Sequence, residues 1–227
     1  MAPMLVDAHA HLFPEDGYLR ELLDTCDRLG IQKVCLSGLG DSFALGDNAA
    51  VSRALVEAAE NRTADFPRHK SYFPVYERAQ SCGLPCLLHT GIVTTAGYVR
   101  GVSSTRMRPV HVEAIAREFP HLPCICAHLG MPWHEESAAL ARIAPNMYID
   151  ITGAPGGRSA RKDATFVRAL LHWPGARRKV LWGSDVYCTD LETALRRDRA
   201  LAEALALSAE MRAAFFGETF LSLLPPP

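Results

Sequence analysis

The chain has 227 residues, a formal net charge of −1, 48% hydrophobic residues and 22% charged residues, which fits one globular domain over residues 1–227 with a sizeable core. So balanced a charge supplies no basic surface for nucleic acid and no Lys/Arg cluster for a membrane surface, and no apolar run approaches the length of a membrane span. The start, Met1-Ala2-Pro3-Met4-Leu5-Val6-Asp7, lacks a basic region followed by a long apolar stretch, so no signal peptide is expected.

Apolar runs of strand length alternate with helical patterns. Residues 5–9 read as a strand. Leu19, Leu22, Leu23, Cys26 and Leu29 then recur at helical spacing, and Gly30 supplies a left-handed stop. Residues 33–36 read as a strand and 48–61 as a helix. The stretch 62–72 is short and polar, with no strand, and leads directly into a helix over 74–83. Strand–helix pairs follow at 85–88 and 110–119, 123–127 and 134–143, 147–151 and 164–173, and 180–182 and 191–205. An amphipathic segment over 217–224 closes the chain. Strand then helix, repeated, means parallel strands with helices outside. A (β/α) barrel and an open doubly wound sheet both fit this order, and no Gly-rich phosphate loop follows the first strand. Six strands are legible, and a closed eight-stranded barrel usually takes about 250 residues.

Seven cysteines is an odd number, and Cys35, Cys86, Cys124 and Cys126 sit in apolar runs. They read as reduced thiols acting as small apolar groups, which with the plain N-terminus places the protein in the cytoplasm.

Metal-capable side chains fall where the strands end. Asp7-Ala8-His9-Ala10-His11 closes the first strand, Leu87-Leu88-His89 the third and Cys126-Ala127-His128 the fourth, and Trp182-Gly183-Ser184-Asp185 the last. Barrel active sites are built at these carboxyl ends. Alternation points His9 and His11 to one side. His89 enters from across the barrel as a third nitrogen, and Asp185 arrives from the last strand, which in a barrel lies beside the first. Three nitrogens and one carboxylate suit one divalent ion: Zn²⁺, with Mn²⁺, Fe²⁺ or Co²⁺ as alternatives. A water in the remaining position would have its pKa lowered to about 7, and His128 would then polarise it or act as general acid or base. Each feature has an ordinary reading by itself: an accidental His-x-His, a hydrogen-bonded core histidine, Asp185 capping the next helix. Four of them at four strand ends are not independent accidents. Asp150, Thr90, Trp182 and Tyr187 lie at or just beyond strand ends and are further candidates to line the pocket, with Trp182 equally readable as core.

These motifs, Val6-Asp7-Ala8-His9-Ala10-His11-Leu12, Leu87-Leu88-His89-Thr90-Gly91, Ala127-His128-Leu129-Gly130 and Trp182-Gly183-Ser184-Asp185, together with Tyr72-Phe73-Pro74-Val75-Tyr76-Glu77-Arg78-Ala79 and Asn146-Met147-Tyr148-Ile149-Asp150, resemble the metal-dependent amidohydrolase superfamily. The branch is the one that includes many hydrolases and the amino-carboxymuconate-semialdehyde and aromatic-acid decarboxylases. The resemblance implies a TIM-barrel-like α/β fold with His9, His11, His89 and Asp185 as metal ligands. His128 would be catalytic, and Asp185 would double as proton acceptor from the metal-bound water. Two-metal members carry a carboxylated lysine on the fourth strand. Lys70 is the nearest candidate and its surroundings are not strand-like, so one metal is expected.

The departure from the family is the loss of two strand–helix units between the second strand and the helix at 74–83. The barrel is therefore expected to be incomplete, its gap covered by another subunit of a homo-oligomer, by the segment 62–72 or by strand exchange, because bare strand edges are a liability. The leading functional expectation is a metal-dependent hydrolase of a small amide, ester or lactone. The alternative is a non-oxidative decarboxylase of a small unsaturated or aromatic acid, with Arg100, Arg106 and Arg108 available to hold its carboxylate. A third reading is a non-catalytic metal-binding remnant of the fold. A small molecule is the expected partner, with neither nucleic acid nor membrane.

Overall fold

Val6, Ala8 and Ala10 alternate with Asp7 and His9 along the first strand, and all five are buried. A strand covered on both faces, polar residues included, is what a parallel sheet inside a layer of helices produces. The computed structural model describes residues 3–13, 15–38, 70–92, 104–152 and 163–226. The expected helix at 48–61, most of the polar stretch 62–72 and Arg100 lie outside the described residues.

Six strands are present among the described residues, as the sequence predicts: β1 (Val6–Leu12), β2 (Lys33–Gly38), β3 (Cys86–Leu88), β4 (Cys124–Cys126), β5 (Met147–Asp150) and β6 (Val180–Leu181). The chain divides into two compact units: Met1–Gly40 with Asp150–Ser222, and Asp41–Ile149 with Leu223–Pro227.

In the first unit β1 and β2 pair in parallel, Val6 with Lys33 and Asp7 with Val34. The register then slips, so that Ala10 meets Leu36 and His11 meets Ser37. Two residues of β1, Ala8 and His9, therefore stand opposite the single residue Cys35, a β-bulge that re-aims the side chains at the strand end. The other flank of β1 is taken by the last strand segment. The Ala8 N–H donates to the Trp182 carbonyl at 3.2 Å, and the Asp185 N–H to the His9 carbonyl at 2.8 Å. The last strand lies beside the first, as expected.

Helix α1 (Tyr18–Leu29) ends at Gly30, whose φ of 74° and N–H bonds to the Asp27 and Cys26 carbonyls make the expected left-handed stop. Its buried row is Tyr18, Leu22 and Cys26, spaced by four. Leu19 and Leu23, counted with the apolar face in the sequence, are instead exposed, because one row of a helix this short covers the strands beneath it. The closing segment begins earlier than 217. Ser208 caps a helix at Ala209–Ala213, followed by wider turns over Ala214–Glu218 and a last turn at Thr219–Leu221. Gly217 lies so close to β1 that a Cβ there would meet the Met4 carbonyl oxygen at 2.4 Å.

In the second unit β3, β4 and β5 run parallel in unbroken register, Cys86 beside Cys124 and Cys124 beside Met147. Helices α2 (Phe73–Ser81), α3 (Pro109–Glu118) and α4 (His134–Ile143) supply Val75, Tyr76, Val112, Ile115, Ala138 and Ala141 to the buried set. Lys70 is exposed on a short 3₁₀ turn, Lys70–Tyr72, and not on a strand. None of the seven cysteines forms a disulfide. Burial pushes the Cys26 and Cys86 thiols up to about 11, which suits apolar packing and not thiolate chemistry. Among the described residues no helix is long and apolar enough to cross a membrane.

Candidate metal centre

The first unit gathers its polar groups where β1 and β6 end. His9 is almost fully buried, and its Nδ1 lies 2.9 Å from Asp150 Oδ2. Asp150 is itself fixed, its Oδ1 accepting from the Thr152 hydroxyl at 2.7 Å and from the Thr152 N–H at 3.1 Å. A carboxylate on Nδ1 holds the proton there and makes Nε2 the nitrogen that would face a cation. That Nε2 lies 3.8 Å from Asp185 Oδ1, and His11 Nε2 lies 3.0 Å from the same oxygen. One donor atom from each of His9, His11 and Asp185 falls within 4.8 Å of the other two. The side chains of His11 and Asp185 are 21% and 22% exposed, so the cluster has an open side.

The electrostatics of the cluster ask for a cation. Burial alone would push the His9 pKa down. The charge and hydrogen bond of Asp150, then the charges of Asp185 and Asp7, outweigh burial and hold it above the ordinary histidine value. Three carboxylates around one buried imidazole carry more negative charge than the ring can balance, and a divalent ion on two Nε2 atoms and a carboxylate would match them. The residues present fit such an ion.

Backbone geometry at the end of β6 serves the same cluster. Asp185 has φ of 47°, left-handed for a residue with a side chain, at a cost of order 1–3 kcal/mol. It is held there by its N–H bond to the His9 carbonyl, beside the Ser184 N–H bonds to the same carbonyl at 3.1 Å and to Asp7 Oδ1 at 2.9 Å. Asp7 Oδ1 also accepts from the His9 N–H at 3.1 Å, so one buried carboxylate ties the bulge of β1 to the turn that carries Asp185.

The second unit brings His89 and His128 together. His89 directly follows β3, and its Nδ1 lies 3.1 Å from His128 Nε2. His128, Leu129 and Gly130 all have positive φ, 57°, 52° and 68°, and all three are buried. Two consecutive residues with side chains in this conformation store strain of a kind that clusters at functional sites. The Thr90 hydroxyl donates to the Ala127 carbonyl at 2.5 Å, tying the segment after β3 to that turn. The predicted set is thus found as two groups, His9 with His11 and Asp185 in one unit and His89 with His128 in the other.

Residues 60–224 match the amidohydrolase family model. The chain belongs to the amidohydrolase family. Solved structures similar to this amidohydrolase include an uncharacterised TIM-barrel protein from Bordetella bronchiseptica, at 16% identity and a TM-score of 0.63 over 97% of this chain and 99% of that one. An amidohydrolase from Burkholderia multivorans with bound zinc matches at 14% identity and a TM-score of 0.60, over 98% and 100% of the two chains. The 5-carboxyvanillate decarboxylase of Novosphingobium aromaticivorans, complexed with manganese and 4-hydroxy-3-methoxy-5-nitrobenzoic acid, matches at 10% identity and a TM-score of 0.55, over 97% and 95%. At these identities the likeness is one of fold: α/β, of the TIM-barrel type. A search of curated proteins returned no match.

Two of the pocket candidates have defined contacts in this amidohydrolase. Trp182 is a core residue, 1% exposed, with its Nε1–H donating to the buried Asp198 Oδ2 at 3.1 Å. Asp150 touches His9 and holds the ring in place. Asp7, Thr152 and Phe13 were not singled out in the sequence. A carboxylate two residues before a strand-end histidine is the only local signal for Asp7, and Thr152 has none. Arg108, one of the arginines considered for a carboxylate, is paired with Glu136 and sits 5.7 Å from the ring centre of Trp133.

Burial pushes the Asp7 carboxyl up to about 6, and its Oδ2 has no hydrogen-bond partner among the described residues. The folded state therefore holds this proton more tightly than the unfolded chain, and stability is lost as pH rises from near 4 through 6. Asp7→Asn keeps an oxygen for the His9 and Ser184 N–H groups and removes that loss. In urea unfolding of chelator-treated protein, the variant should gain on the parent by up to about 3 kcal/mol between pH 4 and pH 8. A pH-independent difference would show that the Asp7 charge is compensated.

Proposed function

We propose that this chain is a metal-dependent hydrolase that cleaves a small amide, ester or lactone. The observation that supports it is the convergence of one donor atom from each of His9, His11 and Asp185 within 4.8 Å, with His9 Nδ1 held by Asp150. His9, His11 and Asp185 would hold one divalent ion, zinc by preference for nitrogen and carboxylate donors, with His89 as a further nitrogen ligand. When bound, the ion supplies Lewis acidity, polarising a carbonyl and acidifying water. Asp150 keeps the proton of His9 on Nδ1. Asp185 takes up a proton at its carboxylate as water adds to the substrate carbonyl. His128 gives one to the leaving amine or alcohol. Seven cysteines without a disulfide support a reducing compartment, the cytoplasm.

The decarboxylase alternative asks for a cation to hold a substrate carboxylate, and Arg108 already has its charge matched by Glu136. A panel of amides, esters, lactones and small unsaturated or aromatic acids, presented to zinc- and manganese-loaded protein, separates the readings. Release of amine, alcohol or acid without carbon dioxide is the expected result. Carbon dioxide release would replace hydrolysis by decarboxylation. Tight metal binding with no turnover of any member would favour a non-catalytic metal binder.

A further inference from the structure

Beside the proposed cation site lies a group of three aromatic rings that the hydrolytic reading leaves unused. Phe13 follows His11 by two residues, and Tyr187 follows Asp185 by two. The Phe13 ring centre is 6.5 Å from that of His11, the two planes nearly perpendicular at 78°. Phe13 packs 5.1 Å from Tyr187 and 5.1 Å from Tyr18, and Tyr18 lies 4.9 Å from Tyr187. Tyr18 is 2% exposed and backs the other two. Phe13 and Tyr187 are only half-buried. The Tyr187 hydroxyl donates to Glu15 Oε2 at 2.5 Å, which fixes the ring against rotation and places a carboxylate at the rim.

Rings that served only to plug the strand ends would be buried like Tyr18. Two of these keep an open face, are locked in place by a third ring and a hydrogen bond, and adjoin a histidine of the candidate site. An aromatic surface already ordered in this way loses little entropy when a planar group stacks on it. We infer that Phe13 and Tyr187 form a binding wall for an uncharged aryl group of the substrate, beside the bond that is cleaved. The Glu15 carboxylate at the rim disfavours an anionic ring substituent there. This inference rests on the reading of His9, His11 and Asp185 as a cation site.

Two hydroxamates test it by calorimetry on zinc-loaded protein, because both chelate a metal through the same atoms and differ only in the group attached. Benzohydroxamate should bind the parent protein roughly five- to tenfold more tightly than acetohydroxamate, the gain of one good aromatic contact. Phe13→Leu and Tyr187→Leu should each erode that ratio toward unity and leave acetohydroxamate affinity within about twofold of the parent. Tyr187→Phe keeps the ring and should keep the ratio, so the pair at position 187 decides the matter even if Phe13→Leu fails to fold. Equal binding of the two hydroxamates to the parent, or a ratio indifferent to loss of the ring, overturns the aryl wall and leaves the cation site standing. Failure of the parent to take up zinc overturns the cation site, and the wall with it.

Discussion

Replacing both His9 and His11 by alanine is expected to remove the bound metal and the activity together. Protein purified without chelator should carry about one equivalent of metal per chain, and the double variant almost none. The reason lies in how few donors there are. His9 Nε2 and His11 Nε2 both face Asp185 Oδ1, and without them the first unit offers only carboxylate oxygens at this place, a donor set that holds zinc far less tightly than one with imidazole nitrogens. Loss of the Lewis acid should cost several kcal/mol of barrier, roughly 10³-fold or more in rate. Stability provides a second readout. Metal present at about 1,000 times its dissociation constant stabilises a folded protein by about 4 kcal/mol, so a chelator should lower the melting temperature of the parent and leave the variant unmoved. Equal metal content in the two proteins would remove the site from β1, and with it the proposed chemistry.

Gly183→Ala should be a damaging single-methyl change, because position 183 abuts His9 itself. A Cβ at position 183 would sit 2.6 Å from His9 Cβ, 2.7 Å from Thr152 Cγ2 and 2.9 Å from the His9 nitrogen. None of these is the loose end of a flexible side chain, so the strands must part or His9 must move. Overpacking of this kind costs about 1–3 kcal/mol, roughly 2–12 °C in melting temperature for a chain of this size. The same displacement would shift His9 Nε2 away from Asp185 and weaken metal uptake. Gly175→Ala is the proper comparison. Gly175 has φ of 80°, and a methyl added there would meet nothing within 4 Å, so its variant carries only the left-handed strain of about 1–2 kcal/mol and should bind metal normally. If the two variants take up metal equally well, crowding against His9 is not what keeps position 183 a glycine.

Much of the fold was legible because it is written in short-range patterns. The six strands are apolar runs, helix α1 stops where Gly30 can turn left-handed, and helix α4 starts at the expected His134. The sequence also marked His9, His11, His89, His128 and Asp185 as strand-end residues, since a strand's end can be read from where its apolar run stops. It could not show which way a side chain turns or which distant group it meets. The β1 bulge at Ala8 and His9 exists only because β1 pairs with β2 out of step. The Asp150 partner of His9 is 141 positions away, and the Ser184 N–H that Asp7 holds is 177 away. Trp182 and Asp185 lie three residues apart, yet one is core and the other faces the candidate metal. The residue types and their order determined that a metal-capable set would stand at the strand ends of an α/β fold. Only the tertiary structure decided which nitrogen of His9 faces outward, what holds it and which rings stand beside it, because strand register and long-range hydrogen bonds settle those directions and no local pattern encodes them.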